Sequence, residues 1–131
     1  MQRSIATVSL SGTLPEKLEA IAAAGFDGVE IFENDLLYYA GSPRDIRQMC
    51  ADLGIAITLF QPFRDFEGCR RDRLEKNLDR AERKFDLMQE LGTDLVLVCS
   101  NVATDSLGDE EILVDDLRLL GERAGARNLR I

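Results

Sequence analysis

Four times along the chain the same order of apolar and polar positions returns: an amphipathic helix, a glycine, one or two residues, then an apolar strand. The units read AIAAAGFDGVEIF, MCADLGIAITLF, MQELGTDLVLV and LGERAGARNLRI, with glycines at Gly25, Gly54, Gly92 and Gly125. Each glycine falls where a helix ends in a left-handed residue, a conformation that lacks a side-chain clash only for glycine. Helix starts are legible too. Thr13-Leu14-Pro15-Glu16 and Ser42-Pro43-Arg44-Asp45 set a hydroxyl before proline and an acid three residues on. The hydroxyl caps free amides and the acid suits the positive end of the helix dipole. In the third long helix Leu74, Leu78, Ala81, Phe85 and Met88 recur in steps of three and four; Leu113, Leu117, Leu120 and Ala124 do so in the fourth.

Strands are expected near 4–10, 28–32, 55–60 and 94–99, with a fifth beginning at 129–131. Strand-helix alternation predicts parallel strands joined by right-handed crossovers, with helices covering the sheet. Two architectures fit: a small doubly wound sheet acting as a binding module, or the first half of a (β/α)8 barrel, which takes about 250 residues when whole. No Gly-x-Gly-x-x-Gly follows the first strand, which argues against a dinucleotide fold. The chain stops at Leu129-Arg130-Ile131, inside a strand and not in a linker. The expectation is therefore one partial barrel domain over 1–131, four βα units plus the start of strand five, truncated within that strand. Such a half barrel would keep open parallel edges and an uncovered inner face, and so would pair with a second half or self-associate.

Composition narrows the function. The 131 residues carry a formal charge of -8, which excludes nucleic acid and an anionic membrane surface as default partners. No run approaches the roughly 18–20 apolar residues of a membrane span, and Met1–Ile5 has no apolar signal core, so a cytoplasmic protein is expected. Cys50, Cys69 and Cys99 are widely spaced and histidine is absent. That argues against a zinc site or a disulfide framework and removes the commonest general base at neutral pH.

The polar residues collect at the carboxyl ends of the strands, where parallel α/β proteins bind ligands. Those ends read Ser9-Leu10-Ser11-Gly12, Glu30 to Asn34, Gln61 to Phe66, and Ser100-Asn101. Arg64 either forks onto a substrate carboxylate or pairs with Asp65 or Glu67. Glu30 either lines the mouth or pairs with an arginine. Gln61 points into the mouth. Phe60, Phe63 and Phe66 wall and close the loop. Ser100 and Asn101 either bond ligand hydroxyls or shape the turn. Tyr38-Tyr39 lies in the loop after strand two. Arg70, Arg71 and Arg73 open the third long helix as a solvated end, a phosphate grip being the other reading.

The stretches GFDGVEIFENDL, LGIAITLFQPFRDFEG and LGTDLVLVCSNV resemble the N-terminal half of the bacterial 3-dehydroshikimate dehydratases, a family of the xylose-isomerase-like barrels. The resemblance spans the chain. The loop after strand three separates this family from the related sugar and inositol isomerases and dehydratases, which remain the alternative. It implies a metal-dependent lyase that turns 3-dehydroshikimate into protocatechuate and water. It also implies a small carboxylated cyclic substrate for Gln61, Arg64, Glu30, Asn101 and Ser100 to hold. The divalent metal (magnesium, manganese or cobalt) would take its ligands from the last four strands of such a barrel, beyond Ile131. No catalytic or metal-binding residue is then expected within this chain.

Overall fold

The computed structural model describes every residue from Met1 to Ile131. Four strands, β1 Ser4–Ala6, β2 Gly28–Phe32, β3 Ala56–Phe63 and β4 Val96–Val98, form one parallel sheet in the order β1-β2-β3-β4. Arg130 makes an isolated parallel bridge to Leu95, where the fifth strand was expected to begin. The helices are α1 Leu14–Ala23, α2 Glu33–Tyr38, α3 Pro43–Leu53, α4 Leu74–Leu91 and α5 Glu110–Gly125. α1 packs on α3, α3 on α4, and α4 on α5. Sequential strand order with one crossover hand places these four long helices on the same side of the sheet. A doubly wound domain reverses its strand order and covers both faces. This chain does neither, which corrects the doubly wound alternative.

The core lies between that helix layer and one sheet face. Val29, Ile31, Phe60 and Val96 point into it from the strands, against Leu18, Ile21, Ile46, Leu78, Phe85, Met88 and Leu120. The opposite face carries Ala6, Glu30, Leu59, Gln61 and Leu97, by the alternation of side chains along paired strands. Leu97 is 41% exposed there while its neighbour Val96 is buried.

Both predicted capping boxes form. Glu16 accepts from the Thr13 amide at 2.8 Å and Asp45 from the Ser42 amide at 2.7 Å. These hydrogen bonds hold both carboxyl groups below their ordinary pKa values. Gly54 and Gly92 end α3 and α4 with φ of 70° and 78°. Gly125, by contrast, is the last residue of α5, and the left-handed residue after it is Asn128 at φ 57°.

Strand limits shift for local reasons. β1 stops at Ala6, not at residue 10, because the buried Thr7 hydroxyl accepts the Phe32 amide at 3.0 Å while the chain turns through a 3-10 segment, Thr7–Ser9. β3 runs on to Phe63, whose carbonyl accepts the Cys99 amide at 2.8 Å. Pro62, which has no N–H to give, sits where the β3–β4 register shifts. The segment after β2 holds the short helix α2, which ends at Tyr38. No helix is long and apolar enough to cross a membrane.

In α5 the buried positions are Asp116, Leu120 and Ala124, while Leu117 is 38% exposed. Leu120→Ala is expected to cost about 2–5 kcal/mol in urea denaturation, and Leu117→Ala less than about 1 kcal/mol. Equal losses would contradict this placement of the stripe.

Candidate functional site

At the carboxyl end of the sheet the structure brings two predicted residues together. The Gln61 amide donates to Glu30 Oε2 at 3.0 Å. Both side chains are half-buried, and Glu30 has no arginine partner. A neutral amide restrains the carboxylate without neutralising it. The pair therefore presents a fixed negative group on the uncovered face of the sheet.

Arg64 stands elsewhere. It is exposed, and its guanidinium makes no hydrogen bond or ion pair; neither Asp65 nor Glu67 holds it. Its backbone is fixed all the same. Arg80 donates to the Arg64 carbonyl at 3.1 Å, and Asn77 to the Asp65 carbonyl at 3.4 Å. Arg64 opens on a cleft of about 350 Å³ that also takes in Phe32, Glu33, Pro62, Asp65, Arg80 and Lys84. Glu30 and Gln61 do not line it.

In this cleft three cations face two carboxylates. Lys84 binds Glu33 at 2.5 Å and lies 5.6 and 5.8 Å from the centres of the Phe60 and Phe63 rings. Arg80 donates to Asn77 at 2.8 Å and lies over Phe63 at 5.2 Å. Both are spoken for by protein groups, which leaves the Arg64 head as the cation free to meet an anion.

The end of β3 and the rest of the loop after it are built into the protein. Phe60, Phe63 and Phe66 are buried, with the Phe63 and Phe66 ring centres 5.5 Å apart, so they shape the loop and offer no stacking face. Asn101 bonds the same loop. Its amide donates to Glu67 Oε1 at 2.5 Å, its side chain donates to the Glu67 carbonyl at 2.9 Å, and its Oδ1 accepts the Ala103 amide at 3.0 Å. Those bonds make Asn101 a shaper of the turn. Ser100 beside it is exposed and makes no hydrogen bond. Glu67 is buried, and its Oε2 has no partner in the protein.

The arginines opening α4 are paired and not simply solvated. Arg70 meets Asp72 at 3.0 Å, Arg73 meets Asp105 at 3.3 Å, and Arg71 meets Asp116 at 2.7 Å. The Asp116 hydrogen bonds raise the Arg71 pKa further, and the Arg70 hydrogen bonds lower that of Asp72. Asp116 is the residue that sequence reasoning missed. A stripe drawn through Leu113, Asp116, Leu120 and Ala124 in steps of three and four would have placed it on the buried face.

The side chains present do not suit a resident metal. No three Cys, Asp or Glu residues converge. Glu30 is committed to Gln61, Glu33 to Lys84, and Glu67 to Asn101. The cysteines are separate, and burial pushes the Cys50 thiol up to about 11, far from a ready thiolate ligand.

Comparison with known proteins adds lineage to this geometry. A family model described as a xylose isomerase-like TIM barrel matches residues 18–131. The chain is 92% identical over 131 residues to a 3-dehydroshikimate dehydratase of Pseudomonas putida and 82% identical to one of Pseudomonas aeruginosa. It is covered completely in both, yet spans only 21% of each relative's length. A solved xylose isomerase-like TIM barrel/4-hydroxyphenylpyruvate dioxygenase fusion protein superposes with a TM-score of 0.99 at 92% identity, covering 100% of this chain and 21% of that one. A structure of the IolI protein with a bound zinc atom shares the fold at 19% identity and a TM-score of 0.83, matching 98% of this chain to 49% of its own.

Proposed function

The chain belongs to the xylose isomerase-like TIM barrel family, and from that membership we propose that it forms the N-terminal half of the catalytic barrel of a 3-dehydroshikimate dehydratase. The observation that carries the reading is identity of 92% and 82% along the whole chain to two dehydratases of that name. The reaction would take 3-dehydroshikimate to protocatechuate and water, in quinate and shikimate breakdown in the cytoplasm. Its substrate is a ring bearing a carboxylate, a ketone and hydroxyls. The free guanidinium of Arg64, on a loop with a fixed backbone, suits the carboxylate. The Glu30–Gln61 pair suits a hydroxyl, with the carboxylate accepting from it. Ser100, exposed at the end of β4, is a further hydroxyl contact.

This chain supplies positioning in that scheme and not the proton chemistry. Dehydration needs a base for the proton beside the ketone and an acid for the departing hydroxyl. Histidine is absent, Glu33 is paired with Lys84 and Glu67 is buried, while Glu30, held by Gln61, serves as the hydroxyl acceptor. We assign proton transfer, and the ligands of a divalent metal such as magnesium, manganese or cobalt, to residues outside this chain. The uncovered sheet face, where Leu97 is 41% exposed, is then the surface on which the second half of the barrel rests.

Joining these 131 residues to the remainder of the Pseudomonas putida relative gives a full-length enzyme for testing. Arg64→Ala in it should raise KM for 3-dehydroshikimate roughly 10- to 100-fold, the loss of charge-assisted hydrogen bonds worth about 1.5–3 kcal/mol. An unchanged KM would remove Arg64 as the carboxylate anchor. For the 131 residues alone, millimolar magnesium, manganese or cobalt should leave the melting temperature unchanged; a saturable rise for one metal would place a metal site here. Sedimentation velocity on the same sample should show association growing with concentration. A strict monomer at the highest concentration would mean the exposed face needs no cover.

A further inference from the structure

Only two carboxylates in the chain are buried, Glu67 and Asp116, and both act on the loop that carries Arg64. Asp116 sits 2% exposed on the inner side of α5. Its oxygens are fully used. Oδ2 accepts the Gly68 amide at 2.9 Å and Arg71 at 2.7 Å, and Oδ1 accepts Arg71 at 2.8 Å. Arg71 in turn donates from Nε to the Cys69 carbonyl at 3.1 Å. Gly68 is pressed against the same helix. At φ 66°, a Cβ there would lie 2.5 Å from Leu113 Cδ2 and 2.6 Å from the Leu107 carbonyl. The Gly68 carbonyl accepts the Leu107 amide at 2.7 Å.

The loop is thus held at two points by two different helices. α4 holds its tip, through Arg80 on the Arg64 carbonyl and Asn77 on the Asp65 carbonyl. α5 holds its base, through Asp116 on Gly68 and Arg71. The Arg64 head itself stays free. We propose that Asp116, with Arg71, is a positioning residue that fixes the loop so that Arg64 meets the substrate carboxylate. With Asp116 buried and the Arg71 side chain 43% exposed, the pair fixes direction, and two parallel guanidinium–carboxylate bonds fix it most tightly. The proposal rests on the reading of Arg64 as the anchor.

The test uses the full-length joined enzyme with Arg64→Ala, Asp116→Ala, Asp116→Asn and the Arg64→Ala/Asp116→Ala double variant. Asp116→Asn keeps an acceptor for Gly68 but loses the ion pair, and guards against misfolding of the alanine variant. Asp116→Ala should raise KM about 10-fold with kcat within about 2-fold, Asp116→Asn less, and the double variant no more than Arg64→Ala alone. Amide hydrogen exchange should quicken about 10-fold or more at residues 64–69 in Asp116→Ala while β2 and β4 keep their rates. Additive losses in the double variant, or faster exchange throughout the sheet, would overturn the positioning role and leave Asp116 a stability residue. A wild-type KM for Arg64→Ala would instead sink the anchor, and with it the route by which Asp116 acts. A responsive Arg64 with silent Asp116 variants would sink the positioning proposal alone.

Discussion

A parallel sheet wound in one direction can cover only one of its faces, and most of this structure follows from that. Right-handed crossovers in unbroken order lay α1, α3, α4 and α5 side by side over the outward residues of β1 to β4. That layer buries Val29, Ile31, Phe60 and Val96 and leaves Glu30, Gln61 and Leu97 on the other side. The same winding sends every strand in one direction. The long loops and short turns therefore separate to opposite ends, and the polar residues gather at the carboxyl end. The chain matches about half the length of a solved barrel with the same fold, which is what four of eight βα units would cover.

At that end the loop after β3 resolves a conflict between rigidity and access. Its phenylalanines and both buried carboxylates tie it down, so the backbone near Arg64 has little freedom. Yet the Arg64 head itself has no partner in an otherwise acidic chain of charge -8. Lys84 and Arg80 beside it are held by Glu33, Asn77 and the Phe60 and Phe63 rings, so they add positive charge beside a guanidinium that stays unpaired. A fixed backbone under a free head lowers the ordering cost of binding.

Local chemistry made much of this legible beforehand. The capping boxes, the glycines that end α3 and α4, the stripe of α4 and the position of β2 rest on interactions within a few residues of sequence. What could not be read depends on distant partners. β1 ends early because Phe32, 25 residues away, bonds the Thr7 side chain. The arginines before α4 are exposed as expected, but two of their partners, Asp116 and Asp105, lie in another unit, 45 and 32 residues on. Gly125 was misplaced because α5 runs to Gly125 and the turn falls at Asn128 instead. Of the site, Glu30 and Gln61 meet as their shared face suggests, but the separation of Arg64 into its own cleft needed α4. The committed bonds of Asn101 needed Glu67, on a different loop.

The central proposal is a division of labour, in which these 131 residues would position the substrate and the rest of the barrel would act on it. Purified separately, the 131 residues and the remainder of the Pseudomonas putida barrel can be assayed for protocatechuate formation from 3-dehydroshikimate with manganese present. The account predicts no turnover by the 131 residues alone and turnover on mixing the two. Turnover by the 131 residues alone would contradict it.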